Sequence, residues 1–199
     1  MKAVVRIVSL AVWLAALVCV SDVAAEPQAN AGLTLGGAAV GQEADVSDHA
    51  EMHLGLRGDT IFGRDDAFDF GVGPYVELGT LAFDELQFGG GASLHVPVHE
   101  TLPLVASFGG YGRYGDDDFG VEPGIAGALF WGSRSYNFHA NYVMAVGLSV
   151  GYRHTFGEAN ESALLVAAHL DLAVLGLPWV ALINLLRGPT DEAAELSAR

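Results

Sequence analysis

The chain has 199 residues, with 9 Lys plus Arg against 24 Asp plus Glu and a formal net charge of −15. A chain this acidic has no electrostatic reason to seek nucleic acid or anionic lipid. Its one cysteine, Cys19, excludes a disulfide scaffold, and its length fits one domain.

Residues 1–25 read as a secretory signal peptide: Lys2 and Arg6, the apolar run VSLAVWLAALVCV, then small residues before Glu26. An uncleaved anchor helix is the alternative, although the run is short for a span of ~20 residues. Cys19 does not read as a lipidation site, because Ala16-Leu17-Val18 lacks a small residue just before it. Removing residues 1–25 takes away Lys2, Arg6 and Asp22. It leaves 174 residues with 7 Arg, no Lys, 23 Asp plus Glu, a charge of −16 and no cysteine. An exported domain without disulfides must be held by burial or by lipid.

From there the hydrophobicity comes in short segments of period two. Residues 31–42 are Gly- and Ala-rich, with Leu33 and Leu35 on one face. Residues 50–59 set Met52, Leu54 and Leu56 against Glu51, His53, Arg57 and Asp59. Residues 69–79 set Phe70, Val72, Pro74, Val76 and Leu78 against Asp69, Tyr75, Glu77 and three glycines. In 85–96, Leu86, Phe88 and Leu94 oppose Gln87, Ser93 and His95. In 102–114, Leu104, Ala106 and Phe108 oppose Ser107, Tyr111 and Arg113. Residues 119–131 oppose Val121, Ile125, Leu129 and Trp131 to Glu122 and Gly124. The longest segment, 138–154, places Tyr142 to Tyr152 opposite Ser149 and Arg153, and 162–174 places Leu164, Val166 and Leu170 opposite His169 and Asp171. Separators such as FGRDDA, PVHETLP and FGEANES carry turn chemistry.

Two local features add expectations. DFGVGPYV at 69–76 is echoed by DFGVEPGI at 118–125, a repeat expected to put two copies two strands apart. Pro74 and Pro123 each remove a ladder hydrogen bond, so local bulges are expected there. Beyond the eighth segment, 163–186 could be read as a membrane helix, but His169 and Asp171 at mid-span would be costly. The preferred reading is a strand over 162–174, a break at Gly176-Leu177-Pro178, a short apolar helix from Trp179 to Leu186, and an acidic tail. The domains are therefore a signal peptide (1–25), a β-barrel (26–175) and a C-terminal apolar segment with its tail (176–199).

Eight alternating segments of about the ~9–11 residues that cross a bilayer when tilted, joined by short turns behind a signal peptide, resemble the small eight-stranded outer-membrane β-barrels of Gram-negative bacteria. The resemblance covers roughly residues 30–175 and rests on pattern. It implies an all-β, antiparallel, up-and-down eight-stranded transmembrane barrel in the outer membrane, in contact with outer-membrane lipid and delivered by the outer-membrane assembly machinery. Aromatics near segment ends (Phe62, Phe68, Phe83, Tyr114, Phe130, Trp131, Tyr136, Phe138, Phe156) would form its interface girdles. One departure is clear: such proteins usually finish on a terminal aromatic, whereas this chain ends Ser-Ala-Arg.

If the oily faces point outward, the other faces share one lumen, just wide enough in an eight-stranded barrel for side chains to fill. The expected polar cluster there is Arg57, Tyr75, Glu77, Tyr111, Arg113, Glu122, Arg153, His169 and Asp171, with His53 and His95 beside it. Unpaired buried ions are expensive, so three arginines against Glu77, Glu122 and Asp171 form a self-neutralising plug. A narrow solute pore is the alternative. A soluble periplasmic barrel enclosing a hydrophobic ligand is a third reading, and it would put Glu77, Arg113 and Arg153 on the surface. No metal or cofactor signature stands out, and no catalytic residue is assigned. Ser149, His154, Glu158 and Glu161 are the weak enzymatic candidates, Asp116-Asp117-Asp118 a weak calcium candidate, and Gly89-Gly90-Gly91 allows close packing rather than phosphate binding.

Overall fold

The computed structural model describes residues 26–42, 45–46, 48–115, 120–134 and 141–187. The expected signal peptide, the acidic tail, Asp116 to Asp118, Tyr136 and Phe138 lie outside them. Eight strands, β1 (Gln28–Gln42), β2 (His49–Ile61), β3 (Gly71–Leu81), β4 (Glu85–Val96), β5 (Leu104–Gly115), β6 (Val121–Arg134), β7 (Ala145–Thr155) and β8 (Glu161–Asp171), are followed by one helix, α1 (Leu172–Arg187). Each strand pairs antiparallel with the next, and β8 closes on β1. The all-β, up-and-down, eight-stranded barrel expected from the alternation is therefore present.

The register fixes its dimensions. Starting at Ala31 and stepping through partners Gly58, Val76, Gly90, Gly110, Ile125, His154 and Ser162, the path returns to β1 at Gly41. That is a displacement of ten residues, a shear that tilts the strands by about 40° for eight strands at normal spacings. Such a lumen admits side chains and little else.

Burial alternates along most of each strand, and the outward set is apolar apart from a few polar residues such as His154 and Ser162 near the strand ends. Val76 and Phe108 are each 66% exposed, with Leu78, Phe88, Leu129, Leu148 and Val166 also exposed around the belt. Aromatics mark both edges: Phe83, Tyr114, Tyr152 and Phe156 at the rim formed by the hairpins β1–β2, β3–β4, β5–β6 and β7–β8, and Phe68, Phe70, Trp131 and Tyr142 at the rim that carries both chain ends. Phe130 departs from the expected girdle. It points inward and packs edge-on against His169, with centroids 5.4 Å apart.

Four expectations about local structure are corrected. The long segment 138–154 is a strand only from Ala145, and the residues just before it form a strap on β1. In that strap Ala29 N–H donates to the Asn141 carbonyl at 2.6 Å and Val143 N–H to the Ala29 carbonyl at 2.8 Å. Neither proline makes a bulge. Phe62 and Val72 exchange backbone bonds in the same register as Asp59 with Tyr75, so the ladder merely lapses where Pro74 lacks its N–H. Pro123 lies just outside the first β6–β7 pair, Gly124 with Thr155, and only its carbonyl is used, by Phe156 N–H. The echoed octapeptides fall at β3 and β6, which run in opposite directions and are separated by β4 and β5, so they are not a repeated unit.

The fourth correction concerns the end. β8 stops at Asp171 and α1 starts at once, running through Gly176 and Pro178 without a break. The Asp171 carboxylate accepts the Ala173 N–H at 2.7 Å, capping the first turn. The cap, rather than the proline, decides where the strand becomes a helix.

Inward glycines make room for two lumen rings. A Cβ at Gly109 would stand 2.7 Å from the Tyr75 hydroxyl oxygen, and one at Gly124 would stand 2.5 Å from Tyr111 Cε1. Outward Gly110 has no such restriction, with its nearest neighbour the Gly124 carbonyl oxygen at 3.6 Å. Gly109→Val is therefore expected to abolish the compact, fast-migrating band of the folded protein in unboiled gels, while Gly110→Val keeps it.

Candidate functional site: the lumen

Charged side chains meet across the barrel. Arg134 on β6 forms a two-pronged pair with Asp59 on β2, at 2.9 and 2.5 Å. These strands are four positions apart around the ring, so the contact passes through the lumen. Arg134 is 2% exposed. A planar guanidinium fork suits such bidentate pairing.

A second, longer chain of contacts runs along the barrel. Arg57 donates to Ser93 Oγ at 3.3 Å and to Glu77 at 3.4 Å, and lies 4.0 Å over the Tyr75 ring. Glu77 also holds Arg153 at 3.1 Å. Arg153 reaches Gln87, Gln87 reaches Glu85, and Glu85 pairs with Arg113. Arg113 ends the chain on Glu161 at 3.0 Å. Three guanidiniums and three carboxylates alternate, so the chain is neutral as a whole. The Arg153 guanidinium also lies 5.8 Å from the Tyr111 ring centroid, and the Tyr111 hydroxyl bonds Thr155 Oγ1 at 2.6 Å.

The same three arginines that the alternation placed in the lumen thus meet carboxylates there, but two of the partners differ. Glu122 instead accepts the N–H groups of Glu158 and Ala159 at 2.9 and 3.1 Å and organises the β7–β8 turn. Asp171 binds Asn30 Nδ2 at 2.7 Å, the Tyr142 hydroxyl at 3.0 Å and Ala145 N–H at 3.0 Å, besides capping α1. Backbone and amide donors satisfy these two carboxylates without a cation. His169 shares Asn30 through Oδ1 at 3.2 Å, and His53 meets Thr34 Oγ1 at 3.1 Å. Both histidines occupy packed, hydrogen-bonded positions, and no group of three metal-ligating side chains occurs among the described residues.

Asp59, Glu85, Arg134, Glu161 and Arg64 carry lumen charge beyond the expected cluster. Parity offered the signal for four of them: Asp59 lies two residues from Arg57, Glu85 two from Gln87, Arg134 an even step from Glu122, and Glu161 an even step from His169. Arg64 had no such signal. It comes from the β2–β3 connection, is 1% exposed, and donates to Gln28 Oε1 at 2.7 Å at the mouth of the barrel. Every arginine between residue 26 and α1 is therefore turned into the barrel or its mouth.

The weak enzymatic candidates are not brought together. Ser149 faces inward and donates to the Ala167 carbonyl, and Glu161 is held by Arg113. His154 is on the outer face, bonded at 3.0 Å to a buried Ser162 that also meets the Tyr152 hydroxyl at 2.9 Å. Between the ion pairs lies a cavity of about 70 Å³ lined by His53, Arg57, Tyr75, Glu77, Arg134 and Arg153. It has room for a few waters.

Comparison with protein-family models gives no match, and comparison with curated proteins gives none. Among solved structures, the chain is similar to the backbone structure of the Yersinia pestis outer membrane protein Ail in a phospholipid bilayer nanodisc. Identity is 11% over 72% of this chain and 99% of that one, with a TM-score of 0.38. The closed ladder above, and not this likeness, establishes the architecture.

Removing one member of a buried pair costs more than removing both. Asp59→Ala is expected to destabilise the barrel by about 3–5 kcal/mol, and the Asp59→Ala/Arg134→Met double variant by clearly less. Urea midpoints of the folded, heat-sensitive gel band measure both.

Proposed function

We propose that the protein is an exported outer-membrane β-barrel with a structural or interaction role, whose lumen is closed by its own side chains. The carrying observation is the reversal of polarity: ion pairs cross the interior while the exterior belt is apolar. A soluble barrel around a hydrophobic ligand needs the opposite arrangement. In water the belt would be an exposed apolar patch far beyond what soluble proteins carry, whereas in a bilayer it is the expected face. Between Val121 and Trp131 on β6, the tilted strand rises about 25 Å, the height of the apolar band in such barrels.

On this reading residues 1–25 direct export, the outer-membrane assembly machinery inserts the barrel, and the rim with both chain ends faces the periplasm. The opposite connections, 43–48, 82–84, 116–120 and 156–160, are only three to six residues long, and their charged residues are all acidic. They offer little chain for an adhesin. Interaction would then use the membrane-facing wall or the periplasmic rim. The ion pairs that cross the lumen, Arg134 with Asp59, Arg153 with Glu77 and Arg113 with Glu161, favour closure over conduction, because a continuous water path would have to part them.

The test is refolding into lipid, followed by gel mobility with and without boiling and by planar-bilayer recording. A fast form that slows on boiling, with no unitary current steps, is expected. Well-defined steps from the folded form would replace closure with the pore reading. A protein that stays soluble and shows no mobility shift would end the membrane reading altogether.

A further inference from the structure

Helix α1 has no place in a barrel that ends on its last strand. From Leu172 to Leu186 it holds no charged residue. Its large apolar side chains are exposed: Leu175, Trp179 and Leu182 follow one another on one face, Leu172 and Ile183 flank it on one side and Leu185 on the other, and Leu177 lies opposite. Trp179 is 67% exposed and Leu185 79%. A helix that is apolar nearly all round, with Asn184 the only polar side chain from Leu172 to Leu186, belongs in a protein core or in lipid, and this one meets the barrel at β8 and β1.

In water the helix would also be marginal alone, being sixteen residues long with Gly176 and Pro178 inside. Its sixteen residues make about 24 Å of helix, short of a ~30 Å hydrocarbon core. No helix among the described residues is long and apolar enough to cross a membrane.

Its starting point is fixed. Asp171 ties the helix N-terminus to Asn30 on β1, to Tyr142 in the strap and to the first N–H of β7. The helix therefore leaves the barrel at the rim that carries Phe70, Trp131 and Tyr142 on its outside. Leu164 and Val166 on the outer face of β8 lead up to Leu172, so the apolar exterior continues from strand to helix.

We propose that α1 is a non-spanning membrane anchor that lies in the phospholipid leaflet at the terminal rim, its side chains among the upper acyl segments. The inference rests on the membrane reading above and adds to it a second lipid-embedded element. The anchor fixes the rotation and depth of the barrel at that rim, and the capping carboxylate acts as its hinge pin. Lipid also supplies the ordered surroundings in which a short helix with an internal proline persists, because water cannot compete there for its backbone groups.

Two single-tryptophan variants of the chain from Glu26 onward, refolded into phosphatidylcholine vesicles, test the proposal. Trp131→Phe leaves Trp179 on the helix, and Trp179→Phe leaves Trp131 on the barrel wall. Vesicles with lipids brominated at acyl carbons 6 and 7 are expected to quench Trp179 emission at least about twofold, with aqueous acrylamide having little effect. Strong acrylamide quenching of Trp179 with no effect of bromolipid would overturn the anchor. So would shielding of Trp179 without bromolipid quenching, the mark of a second copy covering the helix. Trp131 separates the two claims: if its bromolipid quenching persists while that of Trp179 is absent, only the anchor fails. If both are absent, the membrane reading fails with it.

Discussion

A guanidinium enclosed by eight tilted strands can be neutralised only by carboxylates that other strands turn into the same lumen. This constraint orders most of the lumen. The chain from β1 to β8 contains no lysine, and its five arginines (Arg57, Arg64, Arg113, Arg134 and Arg153) are turned into the barrel or its mouth. Each that meets carboxylates does so from another strand: Arg134 across the full diameter to Asp59, and Arg57, Arg153 and Arg113 along an alternating chain with Glu77, Glu85 and Glu161. Arginine suits the task better than lysine, since its fixed fork satisfies two acceptors at once. Most of the acidic excess of the protein is then left to the connections and the tail.

The lumen also has to hold two tyrosine rings within a narrow cylinder. A shear of ten over eight strands sets the bore, and inward glycines at 89, 109 and 124 give up their side chains so that Tyr75 and Tyr111 can lie across it. The rings in turn cover Arg57 and Arg153. Glycine content, which weakens an ordinary strand, here allows ions, rings and backbone to pack at one level.

Period-two alternation revealed the strand count, the inward and outward parity and the two-sided polarity, because a half-buried strand repeats every second residue whichever solvent it faces. It placed Arg57, Tyr75, Glu77, Tyr111, Arg113, Glu122, Arg153, His169 and Asp171 on the inward face. Pairing is less legible, since partners are set by register and shear: Glu122 falls nearest to backbone donors and Asp171 to amide, hydroxyl and backbone donors, rather than to arginine. Arg64 could not be found by parity because it belongs to a connection. The end of β8 is hard to read because Gly176 and Pro178 suggest a break there, although the capping aspartate Asp171 is the stronger helix signal. The strap before β7 was hidden by an apolar run whose alternation continues past the true start of the strand.

The central claim, that the apolar parity faces lipid and the charged parity faces inward, is tested most directly by a spin-label scan along β4. The chain beyond residue 25 has no cysteine, so single cysteines can be placed from Leu86 to Leu94 without background. In lipid vesicles, labels at Leu86, Phe88, Ala92 and Leu94 should show high collision with oxygen and low collision with a water-soluble nickel chelate. Labels at Gln87 and Ser93 should show little of either. High nickel accessibility at the even positions would place the apolar face in water and contradict the account.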